Sequence, residues 1–197
     1  MSEKSIHSKN IEARLEKIFS TISTDEFLNG KGLGNDVNYF IFDYPPEHEL
    51  LVRKYIDNIL VKKINNFCPN VDLAVIDLYD ILIEILESKN VFKSAIELEK
   101  KKGEKELLKA IKPILKPENF INSIKSKTAD SNLLIIQGVG KIWPIIRSHV
   151  ILNNLHLALG NIPVILFFPG NYNKHELQLF GLIKHDNYYR AFKLVDN

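Results

Sequence analysis

Hydrophobic positions along the chain follow two rhythms. Four stretches are near-continuous apolar runs: Tyr39–Asp43 (YFIFD), Leu73–Asp77 (LAVID), Leu133–Gln137 (LLIIQ) and Val164–Phe168 (VILFF). A short apolar run without alternation marks a strand covered on both faces, as in a parallel sheet. A fifth run, Tyr189–Leu194 (YRAFKL), alternates and predicts a strand at an edge.

Between these runs the period is helical. Val52, Tyr55, Ile56, Ile59 and Leu60 form one stripe after the Pro45-Pro46 break. Glu47 and Glu49 fall in its first turn, where the helix dipole favours carboxylates. Ile81, Leu82, Ile85 and Leu86 predict a second helix, and Ser94 with Glu97 makes a capping box. Pro117 opens a helix through Phe120, Ile121 and Ile124, and Pro144 to Leu159 reads as one long helix. The predicted order is helix, β-α-β, an all-helical stretch over about 79–128, β-α-β and a closing strand. That alternation predicts an α/β fold: an open, mostly parallel sheet of about five strands flanked by helices, with a helical insertion between strands two and three. Residues 1–197 are read as a single domain, in which the lysine- and glutamate-rich Lys89–Lys116 is a solvated excursion against the sheet edge.

Composition narrows the class. A chain that is 45% hydrophobic and 25% charged is neither disordered nor of low complexity. Lys+Arg number 26 against 24 Asp+Glu, and the arginines are only Arg14, Arg53, Arg147 and Arg190. Reading DNA through its phosphates needs a clustered basic face, so a DNA reader is disfavoured. The single cysteine, Cys68, excludes an intramolecular disulfide and fits a reducing compartment. Met1–Asn10 is polar, without the apolar segment of a secretory signal, and runs such as Ile162–Phe168 are too short to cross a membrane. A cytoplasmic protein is expected.

In open parallel sheets, ligands sit at the carboxyl ends of strands. Here those ends carry Asp43-Tyr44, Asp77, Gln137-Gly138 and Pro169-Gly170-Asn171. Asp43 and Asp77 together suit a magnesium ion; equally, Asp77 can cap the following helix and Asp43 can turn the chain into Pro45. Gln137-Gly138-Val139-Gly140-Lys141 follows a strand, and if it opens a helix its amides can receive an anion. Gly138, Gly140 and Lys141 are therefore candidate anion-site residues, with Gly140 expected at positive φ and Lys141 expected to be an exposed charge of little weight in folding. The stretch is not a phosphate-binding loop, because Ile135 stands where the pattern needs glycine and Ile142 where it needs Ser or Thr.

Gly30–Asp36 (GKGLGND) precedes a strand, the wrong order for a nucleotide fingerprint, and reads as a surface loop against a partner or the sheet edge, or as a plain spacer. His149 and His156 lie roughly 10 Å apart along one predicted helix and cannot share a metal ion. Glu97 and Lys101 are an ordinary helix-surface pair. No nucleophile elbow is present and no cofactor is indicated.

Six separated segments carry a resemblance. In order they are Phe27–Tyr44 (FLNGKGLGNDVNYFIFDY), Ile76–Leu82 (IDLYDIL), Gln137–His149 (QGVGKIWPIIRSH), Pro163–Tyr172 (PVILFFPGNY), Leu177–Gly181 (LQLFG) and Asp186–Phe192 (DNYYRAF). From about Ile11 to Leu194 the chain resembles the DUF1788 family, the BrxB component of BREX bacteriophage-exclusion systems. The resemblance implies a cytoplasmic defence protein encoded beside a PglZ-type phosphatase-like protein, a PglX-type adenine methyltransferase and a large BrxC-type ATPase. It also implies a P-loop-ATPase-like core without a Walker A motif, and supplies no catalytic residue.

The expected function is a non-enzymatic assembly or adaptor subunit that binds the PglZ-type protein and helps couple it to the methyltransferase and ATPase, touching DNA at most indirectly. Tyr44, Trp143, Tyr172, Tyr188 and Tyr189 near chain turns are candidate interface aromatics or core. The alternative is a metal-dependent phosphoryl-transfer enzyme or nuclease, with Asp43 and Asp77 as ligands and Lys141 stabilising charge.

Overall fold

The apolar runs pair side by side. A computed structural model describes residues 3–28, 38–160, 162–174, 176–185 and 191–196. Its strands are β1 (Tyr39–Tyr44), β2 (Leu73–Asp77), β3 (Leu133–Gln137), β4 (Val164–Tyr172), β5 (Leu177–Leu179), β6 (Ile183–His185) and β7 (Phe192–Lys193). The order β2-β3-β4-β1-β7 is parallel throughout, with Ile41 opposite Leu166, Leu166 opposite Ile136, and Ile136 opposite Ile76. The fold is thus α/β with a mostly parallel open sheet, as the uninterrupted apolar runs require. Beyond Phe168, β4 changes partners: Gly170–Tyr172 pair antiparallel with β5, which pairs in turn with β6. This hairpin was not foreseen, because three-residue strands are too short to show a period. Among the described residues of the predicted edge strand, Phe192–Lys193 form a strand; the glycine-rich segment 30–36, Tyr188, Tyr189 and Arg190 lie outside the described residues.

Helices cover both faces. On one face α1 (Glu3–Ile22), the short α2 (Asp25–Leu28), α3 (Glu49–Tyr55) and α4 (Val61–Phe67) cover Phe40, Phe42, Ile135 and Phe167. On the other, α5 (Leu78–Ser88), α8 (Pro117–Lys127) and α9 (Ser148–Leu159), joined by the β5–β6 hairpin, cover Ile41, Ile76, Ile136 and Leu166. Between α5 and α8 come α6 (Phe92–Lys102), with no buried residue, and α7 (Glu104–Ile111), which buries only Ile111. This is the solvated excursion that its lysines and glutamates predict.

Three local expectations are corrected. The stripe over 52–60 is not a plain α-helix: a π turn, Ile56–Leu60, joins α3 to α4. Val52, Ile56, Leu60 and Ile64 are all buried, a repeat of four residues. An α-helix of 3.6 residues per turn would drift off the core at that spacing, and one wider turn corrects the drift. Ile59, predicted to be buried, is consequently 44% exposed. Second, α6 starts at Phe92, because the left-handed Asn90 (φ 56°) turns the chain early, so Ser94 lies inside the helix instead of capping it. Third, the helix predicted from Pro144 starts only at Ser148. Pro144 brings no N–H and restricts Trp143 before it, so residues 138–147 form turns, with a cis Trp143–Pro144 bond.

The π turn makes a register test. Ile56→Ala should lower unfolding free energy by about 2–5 kcal/mol, whereas Ile59→Ala should change it by less than about 0.5 kcal/mol, both read by urea denaturation. Equal losses would restore the simple stripe.

Candidate functional site

Neighbouring strands β1 and β4 send the chain to opposite faces. From β1 a 3-10 turn, Pro46–His48, leads to α3 on the α1 face, and from β4 the chain enters the β5–β6 hairpin on the other face. Such a divergence is a topological switch point, where open α/β sheets leave a crevice at the carboxyl ends of strands. A cavity of about 190 Å³ opens there, lined by Asn10, Arg14, Asp43, Tyr44, Gly170 and Asn171 among others.

Asp43 is buried at the end of β1. Its Oδ1 accepts from Arg14 Nη2 at 2.9 Å, and its Oδ2 accepts from the Tyr172 amide at 3.0 Å, with Lys193 Nζ at 3.3 Å. Arg14 Nη2 also donates to the Val195 carbonyl at 3.2 Å, and the guanidinium lies 4.7 Å from the centre of the Phe42 ring. One carboxylate thus ties α1, β1, β4 and the strand β7. Sequence reasoning passed over Arg14, yet a signal existed: Ile11, Leu15, Ile18 and Ile22 form the buried stripe of α1, and Arg14 lies inside it. Gly170 supports this corner. A Cβ there would lie 2.1 Å from the Gln178 carbonyl oxygen, so only glycine lets β4 meet the hairpin.

A second cluster sits at the ends of β2 and β3. Asp77 caps α5, its Oδ1 accepting from the Tyr79 amide at 2.9 Å, while its Oδ2 pairs with Lys141 Nζ. Both the capping role and the ion pair follow from placing an aspartate at a strand-to-helix junction beside a lysine-bearing turn. Gly138, and not Gly140, carries the left-handed backbone (φ 81°), and a Cβ there would lie 2.3 Å from Asp77 Oδ1. Gly140 is glycine for another reason: a Cβ would come within 2.9 Å of the Phe180 ring. The Lys141 amide is bonded to the Gly138 carbonyl at 3.1 Å, and no helix begins there. The helix N-terminus on which an anion site at Gly138, Gly140 and Lys141 depends is therefore absent from this turn. Nor is Lys141 a free surface charge. Nearby, the Tyr44 hydroxyl donates to Glu49 Oε2 at 2.6 Å; burial first, then the Glu49 charge, holds it protonated far above the usual tyrosine range.

The two candidate metal ligands are not brought together. β3 and β4 separate β1 from β2, so three interstrand spacings place Asp43 and Asp77 about 14 Å apart. One ion cannot bridge that distance, and neither can a two-metal centre with its ions about 4 Å apart. Among the described residues no three metal-ligating side chains cluster. Of the aromatics, Tyr44 and Tyr172 are core, and Trp143 is exposed.

Substitutions separate the weights of the clusters. Asp43→Asn strands two buried cations and should cost about 3–5 kcal/mol. Lys141→Ala leaves Asp77 with its capping bond, and should cost about 1–2 kcal/mol because the lysine is partly solvated. Chemical denaturation of both variants checks the ranking, and a Lys141→Ala cost near zero would return the lysine to the solvent.

The family model described as BREX protein BrxB matches residues 74–194. A BREX protein BrxB of Bacillus cereus (strain H3081.97) is 41% identical over 192 residues, covering 95% of this chain and 99% of the relative. A BREX protein BrxB of Escherichia coli O9:H4 (strain HS) is 32% identical over 189 residues, covering 94% of this chain and 92% of the relative. No solved structure matches. With the model spanning more than half of the chain and relatives aligned over nearly all of it, the chain belongs to the BrxB family of BREX proteins.

Proposed function

We propose that this BREX component is a non-enzymatic assembly subunit that binds a PglZ-type partner and helps couple it to the methyltransferase and ATPase of the system. The observation that carries this reading is the state of the strand ends. At the edge where a sheet of this class does chemistry, Asp43 is held by Arg14 and Lys193, and Asp77 by Lys141. Acidic groups already matched by the chain's own cations stabilise a shape; they do not converge on a reacting atom. Apolar side chains meanwhile stay exposed on the outer elements: Leu50 of α3, Phe67 of α4, Trp143 and Leu182. Aromatic and aliphatic groups of this kind supply the buried centre of protein interfaces.

Co-purification tests the reading. Expressed with the whole system and washed at low salt, the tagged chain should retain the PglZ-type protein, and Phe67→Asp with Leu50→Asp should reduce that recovery while leaving thermal unfolding within a few degrees. Emergence of the chain alone would overturn the partner. Loss of phage protection by a folded Asp77→Asn variant that still captures the partner would revive a catalytic role.

A further inference from the structure

We propose that the crevice between β1 and β4 is an oxyanion site, in which a carboxylate or phosphate group docks on Arg14. Charge is the first argument. The side chains of Arg14, Lys193 and Asp43 are only 8%, 11% and 6% exposed, and Asp43 is the acid paired with both cations. Two cations against one carboxylate leave one positive charge without a counter-ion among the described residues. A poorly solvated, uncompensated charge is costly, and a bound anion removes the cost.

Donor capacity is the second. A guanidinium carries five N–H groups. Nη2 spends its pair on Asp43 and the Val195 carbonyl. Nε is buried without a hydrogen-bond partner, and Nη1 has none among the described residues either. The unused donors belong to a side chain that lines the cavity. Planar, always charged and weakly hydrated, arginine is the residue suited to carboxylate and phosphate. The third argument is place and size. The cavity lies at the switch point of the sheet, where α/β folds bind ligands. Its 190 Å³ corresponds to about six waters at roughly 30 Å³ each. That admits one oxyanion group. Asn10, one helical turn before Arg14, and Asn171 also line the cavity. Asp43 also lines the cavity, but its oxygens already face Arg14, Lys193 and the Tyr172 amide.

Thermal unfolding of the purified chain tests this directly. Inorganic phosphate and acetate are titrated separately, with sodium chloride holding ionic strength constant. A saturable rise in Tm with either anion, absent with chloride alone, is the expected result. A response to phosphate identifies a free or nucleotide-borne phosphate as the source, and a response to acetate alone identifies an acidic side chain of a protein partner. Arg14→Lys keeps the charge opposite Asp43 but removes the fork, and should weaken the anion response at least tenfold. Asn10→Glu supplies a carboxylate from within the chain, and should raise Tm without added anion while abolishing the response. Because this variant leaves Arg14 and Asp43 intact, it decides the matter if Arg14→Lys does not fold. No saturable response from the native chain, or a full response from Asn10→Glu, would overturn the site. Neither result bears on partner capture, so the assembly reading stands or falls separately.

Discussion

The ion pair between Arg14 and Asp43 is the constraint on which the rest of the arrangement depends. A carboxylate buried at the end of a central strand is tolerable only if its charge is met, and the nearest helix supplies the match. Meeting it fixes the roll of α1, because Arg14 must reach over Phe42 while Ile11, Leu15 and Ile18 enter the core. It also draws in Val195 and Lys193, which brings β7 against β1. Asp77 and Lys141 repeat the pattern at the other side of the sheet with one cation in place of two. In both clusters an acid at a strand end organises neighbouring backbone: the Tyr172 amide in one, the Tyr79 amide in the other.

What the amino-acid pattern made legible was whatever is buried on both faces. β3, buried at every position, coincides with its predicted bounds, and so does β2, which alternates between half-buried and buried residues at the edge of the sheet but is still an apolar run closed by Asp77. β4 was read only to Phe168, since Pro169-Gly170-Asn171 looks like a turn. In fact the strand exchanges a parallel neighbour for an antiparallel one at that point, a tertiary event that leaves no periodic trace. The four-residue spacing of Val52, Ile56, Leu60 and Ile64 was present in the letters, but a fixed helical template hid it.

The site divided in the same way. Topology alone puts the carboxyl ends of parallel strands at one edge, so that edge is legible from the apolar runs. Which residues meet there depends on strand order, and β1 lying three places from β2 separates Asp43 from Asp77. The turn pattern alone points to Gly140 as the left-handed glycine, whereas the close approach of Asp77 demands it at Gly138. A distant acid cannot be seen from a local turn. Arg14 was hidden because a charged residue inside an apolar stripe is easily counted as surface.

The bond from Arg14 to the Val195 carbonyl joins positions 181 residues apart, and the parallel pairing of β1 with β4 is nearly as non-local. During synthesis, Asp43 leaves the ribosome long before Lys193 and Val195 exist. Until β4 is made, β1 has neither of its neighbours, and until β7 follows, its acid lacks one cation. Contacts this far apart close late and slowly, because the intervening loop must be ordered before they form. The nascent chain is therefore open along β1 for most of its translation, and a cell making it faces its greatest exposure of strand edge at that stage.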